Sequence, residues 1–187
     1  MEPLLPHGPG SKSPLVRLEA WVAVFIAVTS LAITLYEATA TREHDRMSVW
    51  PRVAQETSDS AGIYDRAITN VGLGPAVVKS FEVRLDSTGR PSWTPIVAAL
   101  LGTSTPETQW FFSTVGAGTV ILPGHTIHVL TIVARSHAEF AMAQDHRVVS
   151  RVCYCSLYDE CWTGASDRAE PSKVSSCDPA NATTIGR

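Results

Sequence analysis

Charge is scarce in this sequence. Asp, Glu, Lys and Arg make up 18% of the 187 residues, below the roughly 25% of an average globular domain, while hydrophobic residues reach 44%. A membrane segment produces such a shift. With a net charge of −3 there is no basic surplus to neutralise a phosphate backbone, so no nucleic acid is expected as a partner. Repeats of solenoid or propeller period are missing too. The chain has no G-x-S-x-G elbow, HExxH, EF-hand loop, GxGxxG or phosphate loop, so no catalytic, cofactor-binding or metal-binding residue is singled out and no cofactor is expected. His125 and His128 would face opposite sides of a strand and cannot chelate one ion. His7, His44, His137 and His146 fit no metal-ligand spacing, and Asp159 and Glu160 are neighbours on a turn rather than a facing acid–base pair.

What the chain does have is one long apolar run. Residues 20–36, AWVAVFIAVTSLAITLY, carry no charge, and at 1.5 Å per helical residue they span about 26 Å, just enough to cross a bilayer. Trp21 and Tyr36 stand at its edges, where amphipathic rings favour the interface, and Arg17, Glu19 and Glu37 can reach the headgroups. Two rival readings are a signal peptide cleaved after Ala38-Thr39-Ala40 and a buried core helix. The run is longer than a signal's apolar core and Glu37 interrupts the approach to the site, so a membrane anchor is the favoured reading. Lys12 and Arg17 precede the run and Arg42, Arg46 and Arg52 follow it, a count slightly against a cytoplasmic N-terminus. Long following domains weaken that rule, and the cysteines favour export. The domain is therefore expected outside the cytoplasm.

The organisation that follows is a disordered tail over 1–14, a transmembrane helix with a solvated extension over 15–46, a β domain over 47–167 and a loose tail over 168–187. The helix should end before Pro51, with a first strand over 47–53. Further strands are expected over 62–70, 76–85, 126–134 and 147–155, punctuated by turns such as Asp86-Ser87-Thr88-Gly89 and Leu122-Pro123-Gly124. In 76–85, Val77, Phe81, Val83 and Leu85 make an apolar face on which Lys79 is a misfit. Residues 93–101 fit either a short helix or a buried strand. The pattern predicts a mainly β fold, an antiparallel immunoglobulin-like β-sandwich preceded by one N-terminal transmembrane helix. Asn70, Gly72, Gly74 and Pro75 form its most informative run. They read as a structural turn in which the glycines permit positive φ and Pro75 restarts an extended chain.

Three runs in order carry a resemblance: His44-Asp45-Arg46-Met47-Ser48-Val49-Trp50-Pro51, then Asn70-x-Gly72-x-Gly74-Pro75-Ala76, then Cys153-Tyr154-Cys155-Ser156-Leu157-Tyr158-Asp159-Glu160-Cys161-Trp162. Over roughly residues 20–162 the chain resembles a group of uncharacterised bacterial single-pass membrane proteins, with Asp45, Met47 and Trp50 as variants. That resemblance implies a bacterial inner-membrane location and no known activity. The Asn-x-Gly run and Leu122-Pro123-Gly124 are also similar to motifs of immunoglobulin-like sandwiches, and neither similarity lends a function.

Cys153, Cys155, Cys161 and Cys177 are the four cysteines. Two disulfides, free thiols and one four-thiolate metal site are all conceivable, but C-x-C lacks the turn of a zinc knuckle, so disulfides are favoured. A reversal over 156–160 would set Cys161 beside Cys155, leaving Cys153 for Cys177. Trp110-Phe111-Phe112 reads as core or sheet packing, with an exposed partner patch as the alternative. Two function classes remain. One is a membrane-anchored binding or assembly module, with the lipid bilayer and a protein as partners. The other is an envelope enzyme or metal-binding protein whose site is assembled from dispersed residues.

Overall fold

A computed structural model describes residues 14–90, 92–102, 109–133 and 135–177. The expected tails over 1–14 and beyond 177 lie essentially outside those residues. The chain divides into two compact units, 1–45 and 46–187.

The first unit is the apolar part of helix α1 (Pro14–Ser48). Its most apolar window has a mean hydropathy of 2.0, and the helix is long and apolar enough to cross a membrane. The apolar side chains along it are exposed, Trp21, Phe25 and Leu31 among them, which a helix in the core of a soluble domain would not tolerate. Hydroxyls along it bond within the helix: Thr29 Oγ1 donates to the Phe25 carbonyl at 2.9 Å and Thr34 Oγ1 to that of Ser30 at 2.9 Å. The expected strand over 47–53 is not there. The helix runs on to Ser48, and pairing begins at Val53, because Pro51 has no N–H for a ladder and the backbone of 49–52 is engaged in a loop crossing.

The second unit is mainly β. One antiparallel sheet runs β1 (Val53–Ser60), β2 (Ile63–Asn70), β7 (Thr126–Val133) and β5 (Gln109–Phe112). The other runs β10 (Ser172–Val174), β9 (Cys161–Ala165), β8 (Val148–Cys155), β3 (Ala76–Leu85) and β4 (Thr88–Arg90), with β6 (Val120–Ile121) also on β3. Tyr64, Ile68, Leu130 and Ile132 from the first sheet share one buried cluster with Val78, Phe81, Val83, Val152 and Tyr154 from the second. Two sheets closing on a common apolar layer make a sandwich.

Several local departures have physical causes. In β3 the pairing with β8 shifts between Val78 and Ser80. That bulge buries Val78 rather than Val77 and lets Lys79 escape the inner face, so the misfit of the simple alternation disappears. Residues 94–101 form helix α2 (Thr94–Leu101), begun by Pro95 and ended by Gly102 in the left-handed region at φ 71°. Its apolar face of Ile96, Val97, Leu100 and Leu101 is buried. A further helix, α3 (Arg135–Gln144), went unexpected because its inward residues are small; Ala138 and Ala141 are fully buried where it neighbours α2. The expected loose tail is also partly ordered. Ser172, Lys173 and Val174 pair with Thr163, Trp162 and Cys161, adding a strand that apolar content alone does not announce.

Candidate functional site: the apolar end of the sandwich

The three sequence runs converge on one end of the domain. Val53 of β1 pairs with Asn70 of β2, β3 starts at Ala76, and Val77 is registered with Cys155 at the close of β8. The loops 49–52, 71–75, 122–125 and 156–160 therefore share that end, while the β1–β2 reversal at Ala61 and Gly62 lies at the other.

Asn70 ties the first three loops together. Its side chain is fully buried, and every bonding direction is used. Nδ2 donates to the carbonyls of Gly74 and Ile121, both at 2.8 Å, while Oδ1 accepts from the Gly72 nitrogen at 3.0 Å and the Arg52 nitrogen at 3.3 Å. The Asn70 backbone adds bonds to His125 and Gly124 at 3.1 and 2.7 Å. A buried amide so placed replaces the ladder that three irregular segments cannot make among themselves.

Gly72 and Gly74 serve this arrangement differently from the expected positive φ, since neither is among the residues with left-handed backbone. A Cβ on Gly72 would collide with the Arg52 nitrogen and the Trp50 carbonyl, and one on Gly74 with the Val49 backbone. The glycines are required by close backbone approach. Leu73 N and Gly74 N both donate to the Trp50 carbonyl, at 2.9 and 3.2 Å.

The hydrogen-bonded loop set points apolar side chains outward. Leu73 is 71% exposed and Leu157 62%, and Val71, Leu122, Val120, Tyr158 and Trp50 are exposed as well. In the 156–160 reversal, buried Ser156 holds the chain through Oγ, which accepts from the nitrogens of Tyr158 and Glu160 at 3.2 and 3.3 Å, with Asp159 at φ 57°. Asp159 and Glu160 are turn residues, and Glu160 pairs with Lys173 at 2.9 Å. Singly exposed apolar residues are ordinary, but several on the braced loops of one end are not. The bracing residue Asn70 is legible in the sequence motif, whereas the apolar residues it presents are not. The available signal is that the positions between Asn70, Gly72 and Gly74 are valine and leucine in a loop.

The four cysteines also lie near this end, bonded as Cys153–Cys177 and Cys155–Cys161, with Cα–Cα distances of 5.8 and 4.0 Å. The Trp110–Phe112 segment lies elsewhere, on edge strand β5. Trp110 packs on the core and stacks with Phe112 at 5.7 Å, while Phe111 and Phe112 are exposed.

A second polar centre sits between the sheets. Arg66, only 2% exposed, bonds Asp145, Ser150 Oγ at 3.4 Å and Ser166 Oγ at 3.2 Å. Tyr64 donates its hydroxyl to Asp145 at 2.6 Å, and Ser150 Oγ donates to Gln55 Oε1 at 2.6 Å. Burial pushes the Tyr64 phenol well above its ordinary value, with Arg66 opposing. A neighbouring cleft of about 360 Å³ lies between β1 and the 164–171 segment, lined by Gln55, Ser166, Asp167 and Arg168. Asp167 and Arg168 are exposed at its mouth, and no histidine or cysteine lines it. His128, on another face, bonds Asp65 at 2.8 Å.

Comparison with models of protein families and with curated proteins finds no match to this chain.

Proposed function

We propose that this chain is a single-pass, membrane-anchored assembly module whose apolar sandwich end docks a protein partner. The observation that carries the reading is the outward set Val71, Leu73, Leu122 and Leu157, held on loops that Asn70 and Ser156 brace from inside. Bracing of this kind lowers the ordering cost of binding, because the contact loops are fixed before a partner arrives. The chain enters the domain at the same end, through residues 49–52.

A protein partner fits better than the lipid surface. The charges beside the apolar tips are balanced, Glu160 by Lys173 and Glu170 by Arg52, with Asp159 adding a negative charge, so the rim offers no basic surplus to hold an anionic leaflet. Two disulfides suit an oxidising compartment, which agrees with the finer reading of an immunoglobulin-like domain on the periplasmic side of a bacterial inner membrane.

The test is site-specific photo-crosslinking in cells, with the photoreactive residue at Leu73, Leu122 or Leu157 and, as reference, at Asp59 near the opposite end. Discrete protein adducts from the first three positions and none from Asp59 are expected, with Leu73→Asp abolishing the Leu122 adduct while leaving the melting temperature unchanged. Adducts to lipid alone, or equal adducts from both ends, overturn the reading.

A further inference from the structure

We propose that strand β5 is a self-association surface, on which a second copy of this chain pairs antiparallel with Phe111 opposite its own counterpart. β5 ends the first sheet, and no described residue pairs with its far side. Sheet edges are ordinarily protected by charge, proline or brevity. The other edges among the described residues follow that rule: β1 carries Glu56 and Asp59, β10 Lys173 and β4 Arg90, while β6 is two residues long. β5 does not. It reads Gln109-Trp110-Phe111-Phe112, without charge or proline, and Phe111 and Phe112 are 60% and 49% exposed. These two rings stand on opposite faces of the strand, so one further strand laid alongside covers both.

The ladders fix which backbone groups of β5 are open. Val71 N donates to the Arg52 carbonyl and Asn70 N to that of His125, so odd residues of β2 bond toward β1 and even ones toward β7. Leu130 and Ile132, opposite Arg66 and Tyr64, then bond toward β2, and Thr131 and Val133 bond toward Phe111 and Gln109 of β5. Trp110 and Phe112 are left with N–H and C=O on the open side. An antiparallel copy that sets Trp110 against Phe112 of the second copy, and Phe112 against its Trp110, satisfies all of these groups, because each facing pair exchanges two hydrogen bonds. The two-fold axis then passes beside Phe111. It meets Phe111 of the second copy as a non-hydrogen-bonded pair, the closer of the two kinds, where aromatic side chains favour association.

The occupant follows from the charge pattern. An edge without charge has nothing that rejects its own copy, whereas a charged foreign strand would set an ion against two phenylalanines. The strand has four residues, far below the roughly 20–30 a side of a stable interface in solution, so the pairing needs copies held at high local density. Membrane anchoring supplies that density, and here the inference rests on the preceding reading.

The experiment places the full chain, as Phe111→Cys, in phosphatidylcholine vesicles recovered by flotation, so that failed anchoring appears as missing protein rather than as a missing crosslink. The native cysteines are all paired, which leaves the introduced thiol to react when copper phenanthroline is added. A reductant-sensitive product of twice the chain mass is expected, because facing α-carbons in such a pair lie about 4.5 Å apart, within disulfide reach. Phe112→Cys should give almost none, since the two residues 112 would be offset by two positions and stand about 8 Å apart. Leu73→Cys, at the apolar end, should give none either. Adding Phe112→Lys to Phe111→Cys should abolish the product while leaving the melting temperature unchanged. No product from anchored Phe111→Cys, an equal yield at Phe112→Cys or Leu73→Cys, or a product that survives Phe112→Lys overturns the proposal.

Discussion

The sandwich contains two buried polar hubs that solve different problems. Asn70 is neutral and joins backbone to backbone across loops at one end, using four side-chain hydrogen bonds. Arg66 is charged and joins side chains of β1, β2 and β8 with Ser166 and Asp145 between the sheets. A neutral hub whose bonds are all made carries little desolvation penalty, because the groups it satisfies would otherwise be stranded. A buried cation carries a large one, and its partner carboxylate mainly offsets that penalty. The two regions should therefore respond differently when one partner is removed and when the whole centre is replaced.

The sharpest break comes at the charged hub. Asp145→Ala leaves the Arg66 guanidinium buried without its counter-ion and should cost about 3–5 kcal/mol in chemical denaturation. The double variant Arg66→Met/Asp145→Leu should recover most of that loss. If the double variant is as unstable as the single one, the charge is not what made the site costly. Asn70→Ala comes next, at about 3 kcal/mol, since it strands the Gly74 and Ile121 carbonyls and the Gly72 and Arg52 nitrogens. No apolar replacement should rescue it. A methyl group alone should also be felt at this end. Gly74→Ala should cost about 1–3 kcal/mol by overpacking against Val49, whereas Gly118→Ala, with open space around its Cβ, should cost only the strain of its positive φ.

That contrast also governs how much was legible in the sequence. Asn70, Gly72, Gly74 and Pro75 lie within one run, so their cooperation is visible as a motif even though the reason for the glycines, close approach by residues 49–52, is not. Arg66 and its partners Gln55, Tyr64, Asp145, Ser150 and Ser166 are scattered over the domain, and no spacing links them. The cysteines fall between these cases. C-x-C-x5-C with a reversal inside it gives the Cys155–Cys161 closure, but the 3.8 Å approach of the two disulfides depends on where β10 delivers Cys177.

A smaller effect distinguishes the hubs by pH. The Tyr64 phenol is raised by burial, so the folded chain holds its proton where an unfolded tyrosine, near pH 10, gives it up. Unfolding then releases a proton above about pH 10, and stability falls as pH rises toward the raised folded value while staying unaffected below pH 10. Tyr154, raised by the same cause, adds to this slope. Tyr64→Phe should flatten the alkaline decline of the melting temperature without removing it, and Asn70 variants should keep the full slope. An unchanged slope in Tyr64→Phe would place the proton release elsewhere. The smallest effect is expected at the rim, where Lys173→Ala breaks an exposed pair with Glu160 and should shift stability by less than about 1 kcal/mol.

The sequence by itself determined an apolar helix long enough to cross a membrane, a mainly β antiparallel domain after it, and the turn residues that punctuate its strands. Each of these depends on local composition and on a short period, 3.6 or 2, that neighbouring residues express directly. Only the tertiary structure decided that Lys79 sits on a bulge, that two small helices close the core, and that Arg66 is buried. It also decided that three distant motifs meet at one end and turn Leu73 and Leu157 toward solvent. Those outcomes depend on which strands become neighbours and in what register, a choice made by the fit of whole faces against one another rather than by any residue's own preference.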